Sequence, residues 1–281
     1  MTPGTTAHES QVEQHYETEN LYAAIERGVE ALGRDPSAMT VDDLAPVDEF
    51  HTRGREATVE LAHLAGLRAT DVVLDVGCGL GGTARHLADT VGCTVHGIDL
   101  TPEYIAVGER LNRAVGLDDR VSLTCGSALS LPYDDASFDV VWTEHVQMNI
   151  PDKAQFYREI ARVLKPGGRF LFHDVIEGSG DALTFPVPWA SVAEISALAA
   201  EPDLREAMGA CDLDVTLWFD KTEPSIDFFR AALDRIAENG PPPLGLHLLM
   251  GSSARTKLEN HIANMAAGRT RVCMGMARRV G

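Results

Sequence analysis

A glycine-rich turn that directly follows a short apolar run constrains this chain more than any other feature. Residues Val72–Val76 have the character of a parallel strand that is buried on both faces. Gly77, Gly79, Gly81 and Gly82 come next, before a helical pattern begins. Glycine lets the backbone turn tightly and lets a ligand approach the main chain where a Cβ atom would otherwise stand. The sequence therefore predicts a strand, a ligand-binding turn and a helix, in that order.

Strand-like and helical patterns alternate from about residue 70 onward. The predicted strands are Val72–Val76, Thr94–Asp99, Val121–Cys125, Phe138–Trp142, Arg169–Val175, Asp212–Phe219 and Thr270–Arg278. The predicted helices among the first five strands are Gly81–Thr90, a helix that begins at Pro102, and Asp152–Leu164. This alternation predicts an α/β fold with a mostly parallel sheet and helices on both of its faces.

The first 66 residues precede the alternation and are predicted to form a helical cap. Apolar residues recur at close to a 3.6-residue period from Gln11 to Leu32, which predicts one helix there. A loop is predicted over 35–50, and a second helix over about 54–64. We therefore expect an N-terminal cap, 1–66, in front of the sheet.

The rest of the chain, 67–281, is predicted to be one core with two insertions. Residues 176–210 fit neither period and contain the segment Phe185–Trp189 with its two prolines, so we predict an ordered lid there. A second insertion near 222–268 is expected to form a cavity roof or a partner face.

Composition excludes several classes of protein. The chain has 24 Lys and Arg against 42 Asp and Glu, a formal charge of −18, and no basic cluster that would bind nucleic acid or an anionic membrane. No apolar run approaches the roughly 18 residues that span a bilayer. The five cysteines lack a C-x-x-C pair, so we predict neither a metal site nor a disulfide framework. We expect a cytoplasmic protein, monomeric or homodimeric, with a small-molecule partner.

The glycine turn alone leaves two kinds of ligand open. Gly77-x-Gly79-x-x-Gly82, with Asp99 at the end of the next strand, fits the fingerprint of dinucleotide binding. Asp75, however, lies two residues before the first glycine, where a carboxylate would repel a pyrophosphate and would suit a cationic amino group. A nicotinamide oxidoreductase is therefore one alternative, and a protein with a non-phosphate cofactor is the other.

Four motifs in register resemble the class I S-adenosylmethionine-dependent methyltransferases. They are Asp75-x-Gly77-x-Gly79-x-Gly81, the acidic Asp99, Ser130-Leu131-Pro132 with Ser137–Trp142, and Val163-Leu164-Lys165-Pro166-Gly167-Gly168. The resemblance covers roughly residues 54–176 and implies a Rossmann-like, seven-stranded sheet with S-adenosylmethionine as cofactor. The run 143–151 is similar to sarcosine/dimethylglycine N-methyltransferases and to tocopherol and sugar methyltransferases of specialised metabolism. This implies transfer to a small molecule, with an amine slightly favoured over a hydroxyl or a carbon.

The resemblance also implies which residues hold the cofactor. They are Asp75, Gly77, Cys78, Gly79, Gly81, Asp99, Leu100, Ser127, Ala128, Glu144 and His145. Asp99 would bind the ribose hydroxyls, and Ser127 would lie at the adenine edge, where the family commonly has Asp or Asn. Glu144 and His145, just past the fourth predicted strand, would border the methyl group.

The residues that bind the cofactor are largely separate from those that transfer its methyl group. A third alternative is therefore a protein that binds S-adenosylmethionine without transferring its methyl group.

Two histidines are candidates for proton removal from the acceptor. His145 follows the fourth strand at the edge of the sheet where ligands bind, and its alternative role is to shape the pocket. His173 and Asp174 are predicted to end the fifth strand, where such a pair can assist proton removal or simply cap the strand. Arg53 and Arg169 are candidates for binding a carboxylate of the acceptor.

Aromatic and apolar residues outside the glycine turn are predicted to contact the acceptor. They are Tyr16, Phe50, His51, Met148, Phe185 and Trp189. Together they could form an aromatic cavity over the methyl group, which suits a cationic or flat acceptor. The alternative for each of these side chains is packing in the core.

Overall fold

A computed structural model describes residues 6–16 and 20–281, in which seven strands form one sheet. The strands are β1 (Val72–Val76), β2 (Thr94–Asp99), β3 (Val121–Cys125), β4 (Phe138–Glu144), β5 (Leu164–Glu177), β6 (Leu213–Asp220) and β7 (Thr270–Arg279). Their order across the sheet is β3-β2-β1-β4-β5-β7-β6, and β7 runs antiparallel to both of its neighbours. The predicted α/β class and the mostly parallel, Rossmann-like sheet are confirmed.

Helices cover both faces of the sheet and its carboxyl edge. Within the described residues they are α1 (Ala7–Tyr16), α2 (Leu21–Ala31), α3 (Val41–Asp48), α4 (Arg55–Ala65), α5 (Gly82–Thr90), α6 (Pro102–Ala114), α7 (Lys153–Val163), α8 (Glu201–Gly209), α9 (Thr222–Asn239), α10 (His247–Met250) and α11 (Ala254–Ala266). Short 3-10 turns lie at Pro36–Ala38, Gln147–Asn149, Ala193–Ile195 and Gly251–Ser253. None of the helices in these ranges has both the length and the apolar character needed to cross a bilayer.

The N-terminal region departs from its prediction in two places. The single helix predicted over 11–32 is two helices, because Asn20 takes a left-handed φ of 56° directly before α2. Residues 17–19 of that predicted helix and residues 1–5 of the predicted cap lie outside the described residues. The predicted loop over 35–50 contains α3, which begins at a capping box where the backbone N–H of Asp43 donates to Thr40 Oγ1 at 3.2 Å.

Two strands extend further than the sequence pattern predicted. β4 continues to Glu144, so this carboxylate ends the strand rather than following it. β5 continues to Glu177 because β7 pairs with it over the whole stretch, and His173 therefore lies inside the strand, opposite Glu144. The predicted lid, 176–210, also contains a regular helix, α8, which packs against α7 and β6.

The apolar core lies on both faces of the sheet, and the N-terminal helices add a smaller cluster above its carboxyl edge. A fully buried ion pair fixes α3 to α5, because Arg85 Nη2 lies 2.6 Å from Asp48 Oδ1. A Cβ atom at Gly82 would lie only 2.4 Å from the Cβ of Asp48, so the first residue of α5 has to be glycine for this contact. This packing brings the segment after α3 to the mouth of the glycine turn.

Candidate active site

A cavity of about 460 Å³ opens at the carboxyl ends of β1, β2 and β4. This is the edge at which open parallel sheets bind their ligands. The glycine turn and the loops after β2 and β4 form one part of the wall, and α1 with the segment 47–52 forms another. The remaining part, here called the roof, consists of Trp189, Phe229, Leu246, Leu249, Met250 and Leu258.

Most of the residues predicted from the sequence line this cavity. Those that do are Tyr16, Phe50, His51, Asp75, Gly77, Cys78, Gly79, Asp99, Leu100, Ser127, Ala128, Glu144, His145, Met148 and Trp189. Three others do not. Gly81 precedes α5 with a φ of 81°, Phe185 packs in the apolar cluster around Trp189, and His173 is fully buried behind Glu144.

The glycine turn is held to β2 by hydrogen bonds. The backbone N–H groups of Gly77 and Cys78 donate to the carbonyl oxygen of Ile98 at 2.7 and 3.1 Å. The N–H of Gly79 donates to Asp99 Oδ2 at 2.9 Å. Gly77 has a φ of 75°, and a Cβ there would lie 2.3 Å from Val146, whereas a Cβ at Gly79 would meet no heavy atom within 4 Å. The turn therefore presents bare main chain to the cavity.

The buried carboxylates Asp75 and Glu144 and the partly buried Asp99 line the cavity, as does Asp48, which is paired with Arg85. No Lys or Arg lines it within the described residues. Asp75 Oδ2 is buried with no hydrogen-bond partner, and burial, followed by the nearby Glu144 and Asp99, raises the pKa of Asp75 well above its usual value. Arg53 pairs with Glu60 and Arg169 with Asp71, outside the cavity.

The carboxylate wall therefore favours a cationic ligand and opposes a pyrophosphate. The charged end of S-adenosylmethionine, with its amino group and sulfonium, has the chemistry that an unpartnered Asp75 oxygen requires. The diphosphate of a nicotinamide dinucleotide would instead meet like charge with no Lys or Arg to neutralise it, and His51 is already paired with Glu49 and Glu144.

Histidines and a threonine fill the wall beside Glu144. Thr52 Oγ1 lies 2.9 Å from Nε2 of His145 and 3.2 Å from Nε2 of His173. His145 has a φ of 55°, a strained value for a residue with a side chain, and its N–H donates to the carbonyl oxygen of His173 at 2.8 Å. Burial, followed by the charges of His173 and His51, lowers the pKa of His145 well below its usual value. His145 is therefore a neutral imidazole on the cavity wall.

His51, unlike His145, is positively charged. Its Nε2 lies 2.9 Å from Glu49 Oε2 and 3.6 Å from Glu144 Oε2. Burial opposes protonation, but Glu144 and Glu49 together raise the pKa of His51 to about 9. Glu144 Oε2 also accepts hydrogen bonds from Thr83 Oγ1 at 2.8 Å and from Trp142 Nε1 at 3.0 Å. His51 is thus an imidazolium clamped between two carboxylates.

One group in the described part of the chain has the composition of a metal site. The ligand atoms of His51, Glu144 and His173 all lie within 4.8 Å of one another, and all three residues are buried. The sequence predicted no metal. Because Nε2 of His51 is already bonded to Glu49, a metal ion would have to displace that hydrogen bond.

Several residues of the wall were not predicted from the sequence. They are Glu9, Thr52, Thr83 and His261, and the unpredicted Glu49 lies outside the wall and holds His51. Glu49 and Thr52 flank the predicted Phe50 and His51, so their place in the sequence could have identified them as site residues. Glu9 and His261 come from distant helices, and nothing in their local pattern marks them.

Comparison with known proteins agrees with this geometry. The profile of a family described as a methyltransferase domain matches residues 74–172. Methyltransferase GfsG of Streptomyces halstedii is 34% identical over 208 residues, which cover 70% of this chain and 75% of that protein. The 27-O-demethylrifamycin SV methyltransferase of Amycolatopsis mediterranei is 37% identical over 52% of this chain and 50% of that protein. The solved structure of geranyl diphosphate C-methyltransferase from Streptomyces coelicolor A3(2) has a TM-score of 0.72 at 18% identity, over 98% of this chain and 99% of that one.

With the sheet, the glycine turn and these matches together, the class is defined: this is an S-adenosylmethionine-dependent methyltransferase. The chain belongs to the methyltransferase domain family, and within it to the enzymes that act on small molecules, with S-adenosylmethionine as cofactor. The predicted enzyme class and cofactor are confirmed, and the nicotinamide alternative is rejected.

Proposed function

We propose that this enzyme methylates a hydroxyl group on an apolar, uncharged small molecule. The observation that carries the proposal is the composition of the cavity wall: the roof is apolar, and no Lys or Arg lines the cavity within the described residues. A carboxylate or phosphate on the acceptor would be buried beside Asp75, Asp99 and Glu144 without a free counter-charge, because the imidazolium of His51 is already paired with Glu49 and Glu144, and such burial is strongly unfavourable. The geranyl diphosphate of the structural relative is such an anion, so we do not extend that substrate to this chain.

The residues of the glycine turn fit the cofactor as follows. The unpartnered Asp75 oxygen would accept a hydrogen bond from the amino group, and the main chain of Gly77 and Gly79 would contact the methionine part. Asp99 is fixed because its Oδ1 accepts the N–H of Thr101 at 2.9 Å, and it would bind the ribose hydroxyls with its remaining lone pairs. Cys78, which also lines the cavity, would contribute main-chain contact.

Glu9 would take the place of the acidic residue that the family commonly has at position 127. Ser127 Oγ donates a short hydrogen bond to Glu9 Oε1, and both residues line the cavity with Leu100 and Ala128. A carboxylate there can accept a hydrogen bond from the exocyclic amine of adenine, and it is a stronger acceptor than the Ser127 hydroxyl, which already accepts the N–H of Leu129 at 3.1 Å. We therefore place the adenine against Leu100 and Ala128, with Glu9 at its edge.

His145 would act as the base for the acceptor. S-adenosylmethionine supplies a methyl group on a sulfonium, so that one C–O bond forms while the C–S electron pair returns to sulfur. The acceptor hydroxyl loses its proton in the same step, and a neutral imidazole on the wall can receive it. An amine acceptor, which the sequence slightly favoured, requires no base, and the presence of His145 is our reason for favouring a hydroxyl.

A matched set of acceptors tests the proposal. We would supply labelled S-adenosylmethionine with 4-butylphenol, 4-butylaniline or 4-butylbenzoate, and measure methyl transfer to each. We expect transfer to the phenol, slower transfer to the aniline and none to the benzoate. Preferential methylation of the benzoate would contradict the uncharged acceptor, and preferential methylation of the aniline would contradict the hydroxyl.

Calorimetric titration provides the control for the cofactor. S-adenosylhomocysteine should bind to the purified protein, and NAD should not. Tight binding of S-adenosylhomocysteine together with no methyl transfer to any acceptor in a broad panel would favour the third alternative, a protein that binds the cofactor without transferring its methyl group.

A further inference from the structure

We propose that Thr52 and His173 form a relay between His145 on the cavity wall and the buried carboxylate of Glu144, in which hydrogen bonds link His145 to His173 through Thr52 and charge couples His173 to Glu144. The relay would fix His145 in the tautomer that can accept a proton from the acceptor and would compensate the positive charge that follows. This inference rests on the proposed function, since it concerns the same base. Thr52 and His173 are positioning residues in it, because neither is proposed to touch the acceptor.

The carboxylate at the inner end of the relay is oriented by other residues. Glu144 Oε2 accepts hydrogen bonds from Thr83 and Trp142, which leaves Oε1 as the free oxygen. Oε1 and Nδ1 of His173 are both buried without a hydrogen-bond partner in the described part of the chain, and they lie 3.7 Å apart. This distance is too long for a hydrogen bond. It is short enough for a strong electrostatic attraction in a buried site, so the carboxylate of Glu144 favours a proton on Nδ1 of His173.

A proton on that nitrogen determines the rest of the relay. Nε2 of His173 then carries a lone pair and accepts from the hydroxyl of Thr52, at 3.2 Å. A hydroxyl has one proton to donate, so Thr52 Oγ1 must accept from Nε2 of His145, at 2.9 Å. His145 is left with a lone pair on Nδ1, which has no hydrogen-bond partner among the described residues. The backbone N–H of Thr52, 3.4 Å from the same Nε2, would favour the opposite tautomer and is the longer contact.

The backbone also holds the outer end of the relay in place. His145 keeps its strained φ of 55° while its N–H donates to the carbonyl oxygen of His173, so the two rings lie with centroids 5.0 Å apart. Strain of this kind persists only where the surrounding structure fixes it, and it is common at active sites.

One proton moves during the reaction. The acceptor hydroxyl gives its proton to Nδ1 of His145, while the other relay protons stay on their atoms. His145 returns its proton to solvent after product release.

The charged and titratable groups that face the relay are His51, Glu49, Arg53, His261 and Asp75. The imidazolium of His51, held by Glu49, is a cation close to the relay, with its ring centroid 6.2 Å from that of His145. It opposes protonation of His145. The relay supplies the compensating negative charge of Glu144 through Thr52 and His173, which explains why a base so close to a cation can still accept a proton.

Substitutions at Thr52 test the relay in the full-length enzyme. Thr52→Val keeps the shape of the side chain and removes the hydroxyl, and we expect kcat with 4-butylphenol to fall by roughly 10- to 100-fold while KM changes little. Thr52→Ser should restore most of the lost rate. Thr90→Val, the same change on the exposed end of α5, is the matched control and should have no effect.

An acceptor that gives up its proton more readily provides the readout that a merely structural role would not move. 4-Nitrophenol is a much stronger acid than 4-butylphenol and can be supplied as the neutral phenol at mildly acidic pH, so the deficit of Thr52→Val should shrink to a few-fold with it. The acid limb of the pH–rate profile should also move in Thr52→Val relative to the wild type. An equal deficit with both phenols, or none with either, would overturn the relay. A wild type that methylates neither phenol would count against the proposed function instead.

Two further measurements test the relay, and the first of them needs no acceptor. Nitrogen-15 spectra of the histidine rings, assigned by loss of the signal in His145→Asn, should show the proton of His145 on Nε2, and a proton on Nδ1 would overturn the relay. Chelation with EDTA should leave methyl transfer and the spectra unchanged. Loss of activity on chelation and its recovery with a divalent cation would assign His51, Glu144 and His173 to a metal ion, and would overturn the relay as well.

Discussion

At the scale of the residue, one position shows how a missing side chain provides a binding surface. Gly79 has a φ of 54°, and a Cβ there would meet no protein atom within 4 Å. Its N–H is engaged by Asp99, so its backbone is held in place while its open side faces the cavity. Gly66 has nearly the same φ, 58°, and the same open space, but it ends α4 away from the cavity.

The pair Gly79→Ala and Gly66→Ala separates backbone strain from ligand contact. Each alanine should lower the free energy of unfolding by about 1 kcal/mol, because a Cβ is unfavourable at a left-handed φ. Only Gly79→Ala should weaken binding of S-adenosylhomocysteine, by roughly tenfold or more, since only there would the methyl group occupy space needed by the ligand. Urea unfolding and calorimetric titration measure the two effects, and equal affinity in both variants would contradict the placement of the cofactor.

At the scale of the element, α1 shows how a helix outside the matched methyltransferase domain completes the site. Val12 and Tyr16 contribute to the cavity wall, and Glu9 reaches Ser127 across 118 residues of sequence. His15 adds two further contacts to the segment 188–191: its Nε2 donates to the carbonyl oxygen of Pro188 at 2.9 Å, and its Nδ1 lies 3.0 Å from Ser191 Oγ. One helix therefore joins Ser127, the cavity wall and the segment 188–191.

A substitution and its compensation test the role of α1 at the adenine edge. Glu9→Ala should weaken binding of S-adenosylhomocysteine by roughly tenfold, the effect of losing one charge-assisted hydrogen bond. The double variant Glu9→Ala/Ser127→Asp should recover affinity, because it returns a carboxylate to the position where the family commonly carries one. Glu13→Ala, also on α1 but not in the cavity wall, is the control. Calorimetry that finds Glu9→Ala as tight as the wild type would remove Glu9 from the site.

At the scale of the whole molecule, the roof depends on long-range packing around one buried histidine. The ring of His261 on α11 lies with its centroid 5.3 Å from Trp189 of the lid and 5.4 Å from Phe229 of α9. Burial lowers the pKa of His261 to about 3. His261 is therefore neutral in the folded protein between about pH 6.5 and about pH 3, the range in which an unfolded histidine is protonated.

This burial makes stability fall with acid. Below pH about 6.5 the unfolded chain binds a proton at His261 that the folded chain does not bind, so the free energy of unfolding decreases as the pH falls from about 6.5 toward 3, by at most about 1.4 kcal/mol per pH unit. His261→Phe, which keeps an aromatic ring in the roof, should reduce that slope in urea unfolding at pH 7, 6 and 5. His63→Phe, on the exposed side of α4, should leave it unchanged. Identical slopes in wild type and His261→Phe would show that His261 does not cause the loss of stability in acid.

Prediction from the sequence was most complete where structure is local. The first three strands have the predicted bounds, since short apolar runs bounded by glycine and polar residues determine them without distant contacts. The ends of β4 and β5 were predicted too short, because their last pairs depend on neighbouring strands. α3 was predicted as a loop, since its start depends on a side-chain cap at Thr40 rather than on apolar periodicity.

The sequence by itself determined the sheet, the glycine turn and the acidic residue after β2, because these features follow one another within about a hundred residues and repeat a local pattern. The enzyme class and its cofactor followed from the resemblance of these motifs to a known family. Only the tertiary structure decided which side chains meet around the cavity. Thr52, Glu144, His145 and His173 come from three separate segments, and their contacts depend on the burial and orientation of each segment against the others. Local patterns carry no information on such contacts, which is why the acceptor site and the relay that we propose could be inferred only from the folded chain.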